Sequence, residues 1–135
     1  MASGLIRSAR VEDVPRIVDM VERLAHSVSG PQRVDRIRTA ETIASLMCSA
    51  DGVVFVSTGG FIAGCIQPTI INPDPVAFEL GWYAEDRSGL ALIRSFEDWA
   101  RSRGATLVKM SCRGGVAQKI LERRGYRLAE IQMVR

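Results

Sequence analysis

The chain has one histidine and three cysteines in 135 residues, and this scarcity leaves little from which to build a metal centre. Cys48, Cys65 and Cys112 are odd in number, far apart and without ligand spacing. Neither a disulfide framework nor a zinc site is expected from them, and they read as reduced, mostly buried thiols. Long apolar runs are also missing: none approaches the roughly 20 residues that span a bilayer. The opening MASGLIRSAR lacks the apolar stretch of a signal peptide, so a soluble, cytoplasmic protein with no membrane partner is expected. Aromatic residues make up 6% of the chain and form no platform beside its basic part, which makes nucleic-acid binding the weakest functional reading. Internal repeats, low-complexity segments and any sign of a second domain are absent.

What is present suits one compact domain over residues 1–135, with 47% hydrophobic and 24% charged residues to form a core and its solvated surface. The net charge of +3 is unevenly spread. From Trp99 onward, basic residues such as Arg101, Lys109, Arg113, Lys119 and Arg123 far outnumber Glu122 and Glu130, which favours an anionic ligand.

Hydrophobic periodicity predicts a strand over Gly4 to Ala9 and an amphipathic helix over Val11 to Val28, with Val14, Ile17, Val18, Val21, Leu24, Ala25 and Val28 on one face. After Ser29-Gly30-Pro31, a weaker helix is expected from Val34 to Ser49, with Ile37, Ile43, Leu46 and Met47 as its apolar contacts. Val53 to Ser57 and Phe61 to Ile66 flank Thr58-Gly59-Gly60 in the pattern of a hairpin, and a loop containing Pro68, Pro73 and Pro75 follows. Next come a strand (Val76 to Ala84), a helix (Gly89 to Arg103, with Leu92, Ile93, Phe96 and Ala100 inward), a strand (Leu107 to Ser111) and a short helix (Val116 to Arg124, with Ala117, Ile120 and Leu121 inward). Tyr126 to Val134 is expected to supply one or two closing strands. This order predicts an α/β fold with a mixed sheet and helices on both faces.

The most informative stretch is Glu79 to Ala105, where a strand turns at Ser88-Gly89 into an amphipathic helix. Consecutive backbone amides at Ser88, Gly89, Leu90, Ala91 and Leu92 could there meet a phosphate, and small residues allow close approach. A plain capped connection between strand and helix is the bland alternative.

These residues resemble the GNAT superfamily of acyl-CoA-dependent N-acyltransferases at four places that together cover nearly the whole chain. LIRSARVEDVPRIVDM is similar to the family's first strand and helix, in which an Ile-Arg pair is followed by an Asp that starts the helix. The runs flanking Thr58-Gly59-Gly60 resemble its central hairpin, Glu79 to Ala105 its acyl-CoA segment with an Arg/Gln-x-x-Gly-x-Gly/Ala turn, and AQKILERRGYRLAE its ending. The nearest likeness is to small phage and bacterial proteins with an Asn-Pro-Asp loop before Glu-Leu-x-Trp-Tyr, as in Asn72-Pro73-Asp74 here. The resemblance implies a mostly antiparallel sheet with splayed central parallel strands and acetyl-CoA as acyl donor. It further implies that the pantetheine arm pairs with the backbone of Trp82, Tyr83 and Ala84, and that the pyrophosphate lies on Ser88 to Leu92 with Arg87 beside it. Asp86 stands where the family has Arg or Gln, an unfavourable charge beside a pyrophosphate.

The chemistry implied is direct attack of an acceptor amine on the thioester. Glu79, a carboxylate in an otherwise apolar strand, is the candidate general base, with Glu85 and Asp86 as fallback carboxylates and a salt-bridged or exposed strand residue as the alternative. The tyrosine that many members use to protonate the leaving thiolate is Leu121 here, and the usual asparagine is Gly114. Ser111, Cys112 or Tyr126 could substitute for the missing acid. Two readings follow: an N-acetyltransferase acting on a small-molecule or protein amine, or a catalytically weakened GNAT-fold protein that binds acyl-CoA or a partner. No pattern identifies the acceptor. A homodimer through the closing strands is the assembly the resemblance suggests.

Overall fold

The computed structural model describes residues 5–135. Five strands form one sheet in chain order: β1 (Arg7–Ser8), β2 (Gly52–Val56), β3 (Gly60–Thr69), β4 (Asn72–Ala84) and β5 (Leu107–Lys109). Neighbours pair antiparallel except β4 and β5, which run parallel, so the sheet is mixed and mostly antiparallel as expected. Four helices flank it: α1 (Val14–Ser27), α2 (Arg36–Cys48), α3 (Gly89–Ser102) and α4 (Gly115–Arg123). Gly4, the first residue of the expected opening strand, lies outside the described residues.

Alternation along the strands divides the core in two. Ile17 and Met20 of α1 and Ile43 of α2 pack on Val54, Val56, Phe61 and Ala63, while Leu92, Phe96 and Ala100 of α3 pack on Val53, Ile62 and Ala77 from the other face. Gly64 marks where α3 comes nearest the sheet, since a Cβ there would lie 2.4 Å from the Phe96 ring. Ile37 does not join the core; it is 77% exposed, because α2 turns Ile43, Leu46 and Met47 inward instead. The cysteines are also less enclosed than expected, with Cys48 and Cys112 exposed and Cys65 half-buried.

A buried carboxylate anchors the start of α1. The Asp13 oxygens accept from the Arg7 guanidinium at 2.7 and 3.0 Å, from the Arg10 amide at 2.8 Å and from Arg16 at 3.4 Å. The Ile-Arg and Asp pattern in the sequence is therefore a two-pronged ion pair joining β1 to α1. Arg16 carries the connection onward, donating to the carbonyls of Ser57 and Thr58 at 2.9 Å each in the β2–β3 turn.

Two further expectations are corrected. The proline-rich stretch is the end of a long β3–β4 hairpin rather than a loop, with Ile70 and Ile71 at its exposed tip. Pro73 and Pro75 precede Val76, where pairing with β5 begins, so β4 has a neighbour on one side only and can accommodate residues without an N–H. Residues 126–135 form no strand: after α4 the chain pairs with no strand of the sheet, and Leu128, Ile131, Met133 and Val134 are left exposed.

Hydrogen bonds from Arg7 hold the Asp13 carboxyl well below the usual carboxylate range, against the opposing effect of burial. Its contribution to stability is present above the ordinary carboxylate value and is lost as pH falls through its depressed folded value. Asp13→Ala should cost about 2–3 kcal/mol in a denaturant melt at neutral pH, as expected when charged hydrogen bonds are removed, and should flatten the acid limb of stability against pH.

Candidate active site

The parallel ladder pairs Val76 with Leu107, Ala77 with Val108 and Phe78 with Lys109, and there it stops. Beyond it β4 runs on to Ala84 still paired to β3, so its opposite edge is open from Glu79 onward. Pairing with β3 jumps from Glu79–Gly64 to Gly81–Ala63, which makes Leu80 the extra residue of a bulge. Strict alternation would put Glu79 and Trp82 on opposite faces. The extra residue places both on the α3 face, while Tyr83 packs toward α1.

Glu79 reaches across the gap between the parting strands. Its Oε1 accepts from the Ser111 amide at 2.8 Å and from the Ser111 hydroxyl at 2.9 Å. Burial pushes its carboxyl above the usual range, and the two bonds from Ser111 only partly oppose that. A carboxyl held above its ordinary range is a stronger proton acceptor than a free glutamate. Ser111 is therefore Glu79's partner, while Cys112 is exposed. The Tyr126 hydroxyl donates to Glu97 on α3 at 2.8 Å and is held above its ordinary range by burial and that bond. Leu121 is buried, so the described residues bring no tyrosine hydroxyl to Glu79.

The turn before α3 differs from expectation in an instructive way. Asp86 does not face outward toward a ligand. Its Oδ2 accepts from the Gly59 amide at 2.7 Å and the Ser57 hydroxyl at 3.0 Å, and its Oδ1 accepts from the Ser88 amide at 3.1 Å and the Ser88 hydroxyl. Burial pushes its carboxyl up, but these donors outweigh burial and leave it below the usual range. Arg87, between them, adopts φ 66°, a conformation that costs a side-chain-bearing residue about 1–2 kcal/mol. Ser88 is fully buried.

These contacts decide which amides remain. The Ser88 amide is taken by Asp86, and the Leu92 amide donates to the Ser88 carbonyl at 2.9 Å. No side chain caps the helix. The amides of Gly89, Leu90 and Ala91 are thus the free first-turn donors, so the expected five reduce to three. Trp82 flanks them, its Nε1 donating to the Gly89 carbonyl at 3.1 Å. Three first-turn amides without partners beside an open strand edge fit a pyrophosphate followed by an extended amide-bearing arm.

On the other face of β4 an open cavity of about 530 Å³ is lined by Asp19, Glu22, Arg23, His26 and Tyr83. The sequence places His26 far from the site; the packing of α1 on β4 brings it beside Tyr83. Glu85, a fallback carboxylate, binds the Tyr83 hydroxyl at 3.1 Å and Arg23 at 3.4 Å.

Neither protein-family models nor curated protein sequences match the chain. Solved structures do. A glucosamine-6-phosphate N-acetyltransferase from Arabidopsis thaliana is 16% identical with TM-score 0.73, each chain covered to 97%. An acetyltransferase from Trypanosoma brucei is 20% identical with TM-score 0.72, each chain covered to 96%. The chain has the GNAT fold. A transcriptional regulator from Bacillus halodurans C-125 superposes at TM-score 0.77, with 17% identity and 97% coverage of both chains. At such identities the GNAT fold is shared, and function has to be argued from the site.

Gly60 is where the β2–β3 turn meets the turn before α3: a Cβ there would lie 2.8 Å from both Ser88 Oγ and the Tyr83 carbonyl. Gly60→Ala should cost about 1–3 kcal/mol by overpacking. Gly89→Ala, whose Cβ would meet Trp82 Cζ2 at 3.5 Å, should stay within about 0.5 kcal/mol in the same thermal melts.

Proposed function

We propose that this protein is an N-acetyltransferase that moves an acetyl group from acetyl-CoA to an acceptor amine by direct attack. The observation that carries this reading is the gap between β4 and β5 bridged by Glu79, next to an uncapped helix start. The coenzyme's pyrophosphate would take the amides of Gly89, Leu90 and Ala91, its pantetheine arm would pair with the open edge of β4 along Trp82 to Ala84, and Arg87 would add charge at the rim. A lysine-like amine costs about 4 to 5 kcal/mol to deprotonate at neutral pH. Glu79 offsets that cost by accepting the amine proton as the nitrogen attacks the thioester carbonyl and the coenzyme thiolate leaves. The acceptor, a small-molecule or protein amine, would reach the thioester at the opening between β4 and β5 that Glu79 bridges.

A second reading, acyl-CoA binding without efficient turnover, is favoured by the commitment of the Tyr126 hydroxyl to Glu97 and by the burial of Leu121 where an acid would stand. The two separate in one experiment. Acetyl-CoA should raise the melting temperature, and free thiol should then appear with members of an amine panel. A shift without thiol release supports binding alone, and no shift rejects both.

Glu79→Gln keeps an oxygen for both Ser111 donors, so it should fold as well as the parent and bind acetyl-CoA equally, yet turn over at least about 100-fold more slowly. Because the Glu79 carboxyl is raised, the parent's rate should climb with pH through a midpoint above the ordinary glutamate value, and this limb should vanish in the variant. Equal rates would remove Glu79 from the chemistry. Gly89→Glu should abolish the acetyl-CoA shift, since it sets a carboxylate among the phosphate-binding amides.

A further inference from the structure

The residue that departs most from the family pattern, Asp86, is among the most heavily bonded side chains of the site. Serine at a helix N-terminus ordinarily turns its hydroxyl onto the amides of the first turn and satisfies them. Ser88 does not: its backbone sits at φ −86° and ψ 1°, away from the extended cap conformation, and its hydroxyl is held by Asp86 Oδ1 and lies 2.7 Å from Ser57 Oγ. Asp86 also binds the Ser88 amide, closing an Asx turn over Arg87, while its other oxygen takes the Gly59 amide. The β2–β3 turn is shaped to receive this group. A Cβ on Gly59 would lie 3.0 Å from Asp86 Cβ, and Arg16 of α1 braces the same turn through the Ser57 and Thr58 carbonyls.

We propose that Asp86 is a positioning residue for the coenzyme's pyrophosphate: by holding the Ser88 hydroxyl it prevents the serine from capping α3, and so keeps the amides of Gly89, Leu90 and Ala91 open to phosphate oxygens. This rests on the acetyl-CoA reading above. The carboxylate stands where the usual turn carries a cation or amide, and it acts from behind the turn: it spends its lone pairs on four internal donors and leaves the outward donors unspent. The strained Arg87 backbone is maintained by the same bonds.

The experiment compares CoA with pantetheine, which lacks the phosphates, by calorimetry on the parent, Asp86→Ala, Asp86→Asn and the double variant Asp86→Ala/Ser88→Ala. Asp86→Ala should weaken CoA at least tenfold while leaving pantetheine within twofold, because the released hydroxyl competes for the first-turn amides. The double variant should recover most of that loss, since no hydroxyl remains to cap the helix. Asp86→Asn retains an oxygen for both Ser88 donors, so it should bind CoA within threefold of the parent even though the Gly59 amide loses its partner and the melting temperature falls. Equal weakening of CoA and pantetheine in Asp86→Ala, or a double variant no better than Asp86→Ala, would overturn the proposal. If Asp86→Ala does not fold, a tenfold loss of CoA affinity in folded Asp86→Asn would overturn it as well. A parent that binds no CoA would instead reject the acetyl-CoA reading, and the positioning role with it.

Discussion

The site depends on a single extra residue in the β3–β4 ladder. Leu80 has no counterpart on β3, and its insertion rotates the rest of β4 so that Glu79 and Trp82 share a face. The β4–β5 pairing ends just before this point, after Phe78 and Lys109, and the strands part. An opened parallel pair is normally costly because backbone donors and acceptors on both inner edges lose their partners. Glu79 offsets a fraction of that by accepting the Ser111 amide. The gap and the carboxylate that bridges it are one feature, held by the long antiparallel ladder on the other side of β4.

A second set of contacts stabilises the site from behind. Asp13, Arg16, the turn from Ser57 to Gly60, Asp86 and Ser88 form a continuous polar chain from the start of α1 to the start of α3. It crosses the end of the sheet where β2 and β3 meet and ties both core clusters to one turn. Among the described residues no buried side-chain polar atom lacks a partner, so the chain stabilises the turn without leaving an unsatisfied group. Such a network is rigid because each carboxylate has several donors, and loss of one does not free the rest.

Much of this was legible in the sequence. Apolar spacing located the helices, and Leu92, Ile93, Phe96 and Ala100 of α3 are all buried. The Ile-Arg and Asp pattern marked the start of α1, though not the ion pair that holds it, and the lone glutamate in an apolar strand stood out as a residue in a special environment. The errors fell where local pattern and tertiary partner disagree. Prolines suggested a loop, yet they sit on the one-sided end of a strand. Apolar residues near the C-terminus suggested a strand, yet residues 126–135 pair with no strand of the sheet. Asp86 suggested an electrostatic defect or a fallback base, because nothing in its neighbourhood in sequence announces that Ser57 and Gly59 will bind it.

The sequence by itself therefore determined the order of elements, the two apolar faces and the position of the turn before α3, since these follow from periodicities of 3.6 and 2 and from short-range turn chemistry. Only the tertiary structure decided which amides of that turn stay free, that Glu79 meets Ser111, and that His26 borders Tyr83. Glu79 and Ser111 are 32 residues apart, and Asp86 is held to the turn by Ser57 and Gly59, 29 and 27 residues away, so these meetings are set by sheet register and by one bulged residue. Local sequence carries no signal for register at that range.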